Sequence, residues 1–239
     1  MLKRMLTGRI AQFGYAVVFV VSFTVVFSLQ FALVITLFVF VHEYAHVWAA
    51  KRVGATVHGV FFIPLLGAVT TFGATTPLKA KDEIYVALMG CIWGAVLSGI
   101  ALGVWFLYGF QSLATLAALS ALFSLFNLIP VKPLDGGVAF KPIVISMRQP
   151  AGSVFRILFF AAGISMVLAL GYLALVMIAL IFVALQISSW RQEARMYVYP
   201  VPLTDQEVAR YGGLCVLTLL VCAGLCFVIF FHLGIVVQT

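Results

Sequence analysis

Charge is scarce in this chain. Of its 239 residues, 9% are Asp, Glu, Lys or Arg while 64% are hydrophobic, and a soluble domain of that size cannot cover its surface with so few charges. No polar stretch is long enough to form a separate soluble domain, and no internal repeat or low-complexity segment is present. Cysteine is sparse as well: Cys91, Cys215, Cys222 and Cys226 make no C-x-x-C pair. The last three share one helical face, which fits small residues packing in a membrane helix better than a metal or redox site. Seven acidic residues and four histidines complete the inventory, so any cluster of them is informative.

What is abundant is apolar sequence. Several runs approach the roughly 20 residues that span a hydrocarbon core, which makes the chain a multi-pass membrane protein. The net charge of +7 is spread as single and paired cations between apolar segments, as in cytoplasmic loops. The lipid bilayer is therefore the expected partner of these cations, and nucleic acid is not. The N-terminal "MLKRMLTGRI" has the charge of a signal-peptide n-region. The apolar run behind it is about three times a typical h-region, however, and reads as an uncleaved anchor.

Residues 10 to 41 carry no charge. One helix from there to Ala50 would be about 60 Å long, twice the membrane core, so the segment must bend, and "FSLQF" (27–31) is its polar interruption. Helices are expected near 10–28, 31–51, 83–108, 112–129 and 212–236. The run 157–190, bounded by Arg156 and Arg191, is expected to cross twice around Gly171, or once as a long tilted helix. The fold class is thus all-α and polytopic, with about 6–7 transmembrane helices. With seven crossings and a cytoplasmic N-terminus, all 14 Lys and Arg residues fall on the cytoplasmic side.

The helix expected at 31–51 contains His42-Glu43-Tyr44-Ala45-His46, the H-E-x-x-H pattern. Positions i and i+4 project from one face about 6 Å apart along the axis, so both imidazoles can reach one metal ion. Glu43 is then placed to take a proton from a metal-bound water whose pKa zinc lowers to about 7. Two core histidines beside a snorkelling carboxylate would be the inert alternative. Counting back from Lys51, however, His42 lies about 13 Å into the helix, where an unpaired carboxylate costs roughly 2.5–3.5 kcal/mol.

A catalytic zinc site usually has three protein ligands and an open position. His58 is close in sequence but sits in a loop where a histidine is ordinarily exposed, and His232 falls at the outer end of the last helix. Asp135 lies in "FNLIPVKPLDGG" (126–137), where Pro130 and Pro133 break a helix and Gly136-Gly137 allows a sharp turn with positive φ. Irregular apolar backbone with a lone Asp belongs where it lines a protein cavity. A metal ligand and an Asx-type turn are both open for Asp135 on local sequence, and the need for a third ligand favours the first.

Together, "HEYAH" and the pattern N-x-x-P-x-x-x-L-D-G-G, carried by Asn127, Pro130 and "LDGG", resemble the site-2 protease family of intramembrane zinc metalloproteases (peptidase family M50). Residues 31–140 cover the part that looks like the family core, with additional C-terminal helices in 155–236. The resemblance implies a single membrane-embedded protease domain over 1–239, a minimal form without a PDZ or CBS domain. It further implies one Zn²⁺ per chain held by His42, His46 and Asp135, with Glu43 as general base and Asn127 helping to position the substrate. Substrates would be membrane-spanning proteins cut within the bilayer, and the setting a bacterial cytoplasmic membrane with the active-site mouth on the cytoplasmic side. Two positions depart from the family pattern. Gly90-Cys91 stands where relatives commonly have Gly-Pro, and Lys132 where an apolar residue or proline is frequent.

Residues 57–73, "VHGVFFIPLLGAVTTFG", are too short to span and are broken at Pro64 and Gly67, so a β-hairpin or re-entrant loop is expected near the active site. An edge within 60–71, including Phe62, Gly67, Ala68 and Val69, is a candidate for capturing an unwound substrate by strand addition. An interfacial hydrophobic loop is the plainer alternative. Two other functions use some of the same residues: a membrane di-iron oxygenase built on the His42–His46 box, and a metal transporter or channel. The first needs more nitrogen ligands than four histidines supply. The second does not need a glutamate beside the first ligand.

Overall fold

The computed structural model describes residues 9–64, 67–73, 78–130, 134–147 and 202–238. The expected crossings in 157–190 lie outside them, as do Lys132 and Pro133. The described elements are α1 (Arg9–Val26), α2 (Leu29–Arg52), β1 (Thr56–Ile63), β2 (Gly67–Gly73), α3 (Ala80–Tyr108), α4 (Gln111–Asn127), α5 (Asp135–Ser146) and α6 (Asp205–Gln238). The chain is an all-α polytopic membrane protein, with one two-stranded sheet among the described residues. Among the described residues, three helices are long and apolar enough to cross a bilayer: Leu29–Arg52, Ala80–Tyr108 and Asp205–His232. The stretches Gln12–Val26 and Gln111–Asn127 are apolar but shorter. Large side chains such as Phe13, Val25, Leu107 and Phe227 stand exposed on these helices, a surface that a bilayer solvates and water would not.

The apolar N-terminal run breaks where its one polar interruption stands. Ser28 is extended (φ −155°, ψ 159°) and its hydroxyl accepts from the Phe31 amide at 3.2 Å, capping α2. Such a cap satisfies one of the backbone donors that a helix start leaves open. Phe27 and Phe31, with ring centroids 4.7 Å apart, pack across the break. Both the bend and the end of α2 at Lys51 and Arg52 follow the reading from charge. Arg52 lies 4.1 Å over the Trp48 ring, an arrangement suited to a helix end at the membrane interface.

The chain separates into two compact units. One holds α1, α2, the hairpin, residues 89–125 and residues 220–238. Its core gathers Phe19, Ile35, Phe38, Leu102, Trp105, Leu116 and Ile229. α3 and α4 approach closely because small residues line their contact: Ser98 Oγ donates to the Ala117 carbonyl at 2.8 Å, and a Cβ at Gly94 would overlap the Ser124 hydroxyl. Gly90, Gly94 and Ser98 recur every fourth residue, the small-residue spacing that lets membrane helices touch backbone to side chain. Gly109 (φ 72°) ends α3 in the left-handed conformation that glycine adopts freely.

β1 and β2 form an antiparallel hairpin in register Phe61↔Val69, Phe62↔Ala68 and Ile63↔Gly67, with an irregularity between Val57 and Gly59. Gly67 has φ 126°, which explains a glycine at the entry to β2. The hairpin packs on α1 and α2, with the Phe62 ring 5.5 Å from that of Phe19.

The second unit contains residues 78–88, 126–147 and 202–219. Here the structure corrects the sequence reading. Residues from Asp135 onward are not an irregular turn but the first turns of α5, and glycines with positive φ occur at 54, 67 and 109 rather than at 136 or 137. Gly136 is required by proximity: a Cβ there would overlap the Leu128 carbonyl and come within 2.6 Å of the Ile129 oxygen. α6 begins at Asp205, seven residues before the expected 212. Thr204 and Glu207 form a reciprocal cap, the Glu207 amide donating to Thr204 Oγ1 at 3.3 Å and the Thr204 amide to Glu207 Oε2 at 3.0 Å.

Candidate metal centre

His42, Glu43 and His46 lie on the buried face of α2, at 5, 6 and 7% exposure. Helical spacing stacks the two histidines one turn apart, and their rings meet nearly at right angles (83°) with centroids 4.8 Å apart. The two Nε2 atoms are 3.2 Å apart. Two nitrogens bound to one tetrahedral zinc at about 2.0–2.1 Å stand about 3.3 Å from each other, so this spacing suits a shared ion. Phe38, one turn earlier, covers the His42 ring at 5.6 Å.

Gly90 of α3 closes the other side of the pair. A Cβ on Gly90 would come within 2.7 Å of His42 Cε1 and nearer still to the His46 ring. A cradle in which any side chain would strike both imidazoles fits a site built around them. Glycine at 90 is therefore explained by contact with the histidines.

Glu43 Oε2 accepts a hydrogen bond from the Thr70 hydroxyl of β2 at 2.5 Å. Sequence reasoning missed Thr70. Alternation along β2 puts 68, 70 and 72 on one face, but nothing local says that this face meets Glu43. Gly90 was more legible, because its four-residue spacing with Gly94 and Ser98 is visible in the sequence.

The other candidates fall as follows. His58 is exposed on β1, its ring against Gly73. His232 has its Nδ1 2.8 Å from the Val228 carbonyl and sits edge-on to Phe106 at 5.0 Å. Phe106 is sixteen residues from Gly90 on α3, about 24 Å along the helix, too far for His232 to share the site. Asp135 occupies the first turn of α5, where a carboxylate favourably faces the helix dipole. Asn127 ends α4 and is half-buried. Phe62 and Ala68 pack against the core, whereas Val69 is 49% exposed on the opposite face of β2. Among the described residues, His42, His46 and Asp135 are the one set of His, Cys, Asp or Glu side chains able to hold a metal ion together.

Residues 30–112 match the family model of peptidase family M50. No curated protein matches the chain. Among solved structures, the site-2 protease from Methanocaldococcus jannaschii is similar at 20% sequence identity and a TM-score of 0.49, the match covering 81% of this chain and 92% of that one. The part of the chain similar to peptidase family M50 thus takes in nearly all of α2, with its His42, Glu43 and His46, together with the hairpin and α3.

Proposed function

We propose that this chain is an intramembrane zinc metalloendopeptidase that hydrolyses peptide bonds in the membrane-spanning segments of other proteins. The observation that carries the reading is the pair of buried Nε2 atoms 3.2 Å apart with the Glu43 carboxylate on the next residue. His42, His46 and Asp135 would hold the ion, their two imidazoles and one carboxylate being a donor set that zinc accepts. When bound, zinc supplies a Lewis acid that lowers the pKa of water to about 7 and polarises a carbonyl.

The protein's own groups do the rest. Glu43 takes the proton of the attacking water and returns it to the leaving amide nitrogen. Its burial keeps bulk solvent from screening these charges. Asn127 offers an amide that can orient a substrate carbonyl. The unpaired edge of the hairpin, with Val69 facing outward and Gly67, Ala68 and Phe62 setting its seat, would take the unwound substrate as an added strand. Proline substitutions along 68–71 that left cleavage intact would remove this strand-capture step.

Seven crossings with a cytoplasmic N-terminus and active-site mouth account best for the placement of the cations, and a bacterial cytoplasmic membrane is the setting proposed. A di-iron oxygenase is disfavoured because the other two histidines are not gathered at the site: His58 is exposed on β1, and His232 lies against Val228 and Phe106. Metal analysis of the purified protein should give about one zinc per chain, and a model single-span substrate in liposomes should be cleaved within its apolar segment. Glu43→Gln should keep the zinc and lose the cleavage. Cleavage that survives Glu43→Gln, or two irons per chain, would overturn the proposal.

A further inference from the structure

We propose that Thr70 is the positioning residue of Glu43: from β2, its hydroxyl holds one carboxylate oxygen and leaves the other to act on water. The inference rests on the protease reading above and adds a residue to it. The hydroxyl carries a single hydrogen, and of its two oxygen neighbours on Glu43 the carboxylate Oε2 is at 2.5 Å and the main-chain carbonyl at 3.4 Å. The shorter contact takes the proton, because 2.5 Å lies within the ordinary range of an O–H···O bond and 3.4 Å lies beyond it.

Both ends of this bond are held. Glu43 is buried on a helix, and Thr70 is half-buried on a strand whose register is fixed opposite Val60. Threonine is also β-branched, so its χ1 angle has little freedom. A carboxylate joined to its helix by flexible bonds would otherwise sample several rotamers in the site, and a base acts only within hydrogen-bond reach of its proton. The hairpin therefore carries two tasks: on one face of β2 Thr70 meets the base, and the edge of β2 away from β1 is the place proposed above for the added substrate strand. Seating of the hairpin and aim of the carboxylate are coupled through one residue.

Three proteins test this in liposomes: wild type, Thr70→Val, which keeps the shape and loses the donor, and Thr70→Ser, which keeps the donor. Thr70→Val should lower kcat about 10- to 100-fold, the scale of a misplaced catalytic group, with KM within about twofold and zinc content unchanged. Thr70→Ser should recover kcat to within about threefold of wild type. Equal losses in both variants would assign the effect to the γ-methyl packing, and a change in KM alone would assign it to substrate contact; either overturns the proposal. A second readout does not need turnover. The infrared carboxylate band of Glu43, isolated by difference against Glu43→Gln, should shift in Thr70→Val and stay in place in Thr70→Ser. No shift in Thr70→Val overturns the hydrogen-bonding role whatever the activity. A zinc-loaded wild type that cleaves nothing would sink the protease reading, and the infrared arm would still decide the Thr70 contact.

Discussion

The Gly90 backbone of α3 meets the His46 imidazole of α2 with no room between them for a methyl group. The helix thereby limits the orientation of both candidate ligand rings without donating a ligand itself, a role that outer contacts commonly play around metals. Gly90→Ala should push the rings apart and weaken zinc binding about tenfold or more. Gly99→Ala provides the control, because nothing lies within 4 Å of that position on the same helix. Alanine is the better helix former, so Gly99→Ala should leave zinc affinity unchanged and stability equal or slightly higher. Zinc competition against a chromophoric chelator measures both variants.

Asp135 opens α5, and Gly136 behind it lets that helix start directly under the Leu128 and Ile129 carbonyls. Asp135→Asn keeps the size of the side chain and removes its charge. Zinc content should fall below about half an ion per chain, because a neutral amide is a poor third ligand beside two imidazoles. Circular dichroism should be unaltered. Gly136→Ala should cost more than Asp135→Asn in thermal stability, since the added Cβ meets backbone, which cannot move aside as a flexible side chain would.

The clustering of His42, Glu43 and His46 on the buried face of α2 was legible in the sequence because it is local. His42, Glu43 and His46 fall within five residues, and helical geometry alone sets the histidines on one face. The break at Ser28 was equally readable, since an apolar run too long for one crossing must bend, and Ser28 brings a hydroxyl able to cap the new helix. α5 was not. Its "DGG" start and internal Pro142 have poor helix propensity, and the reason for Gly136 lies in contact with Leu128 rather than in a turn. The early start of α6 was within reach, as Thr204-x-x-Glu207 is a capping box. Thr70 was out of reach, because its pairing with Glu43 depends on how a hairpin docks on a helix 27 residues away.

Ser98 donates to the Ala117 carbonyl across the α3–α4 contact at 2.8 Å. In water a buried hydrogen bond of this kind would matter more, but in a membrane the separated helices also find partners for their polar groups. Ser98→Ala should therefore destabilise by only about 0.6 kcal/mol. Gly94→Leu, which would drive a large side chain onto Ser124 and Phe38, should be far worse. Retention of the folded form during titration with a denaturing detergent distinguishes the two.

At the start of α6 the reciprocal bonds between Thr204 and Glu207 satisfy backbone donors that the first turn cannot pair internally. Thr204→Ala removes the acceptor for the Glu207 amide, so amide exchange over 205–208 should quicken about three- to tenfold. Glu207→Gln keeps an oxygen able to accept from the Thr204 amide and should change exchange less than Glu207→Ala. Because the cap lies at the polar end of an otherwise apolar helix, the change should stay local. Exchange in the middle of α6, around Cys222 and Cys226, should be unaltered, and acceleration there would mean that the cap governs the whole helix rather than its first turn.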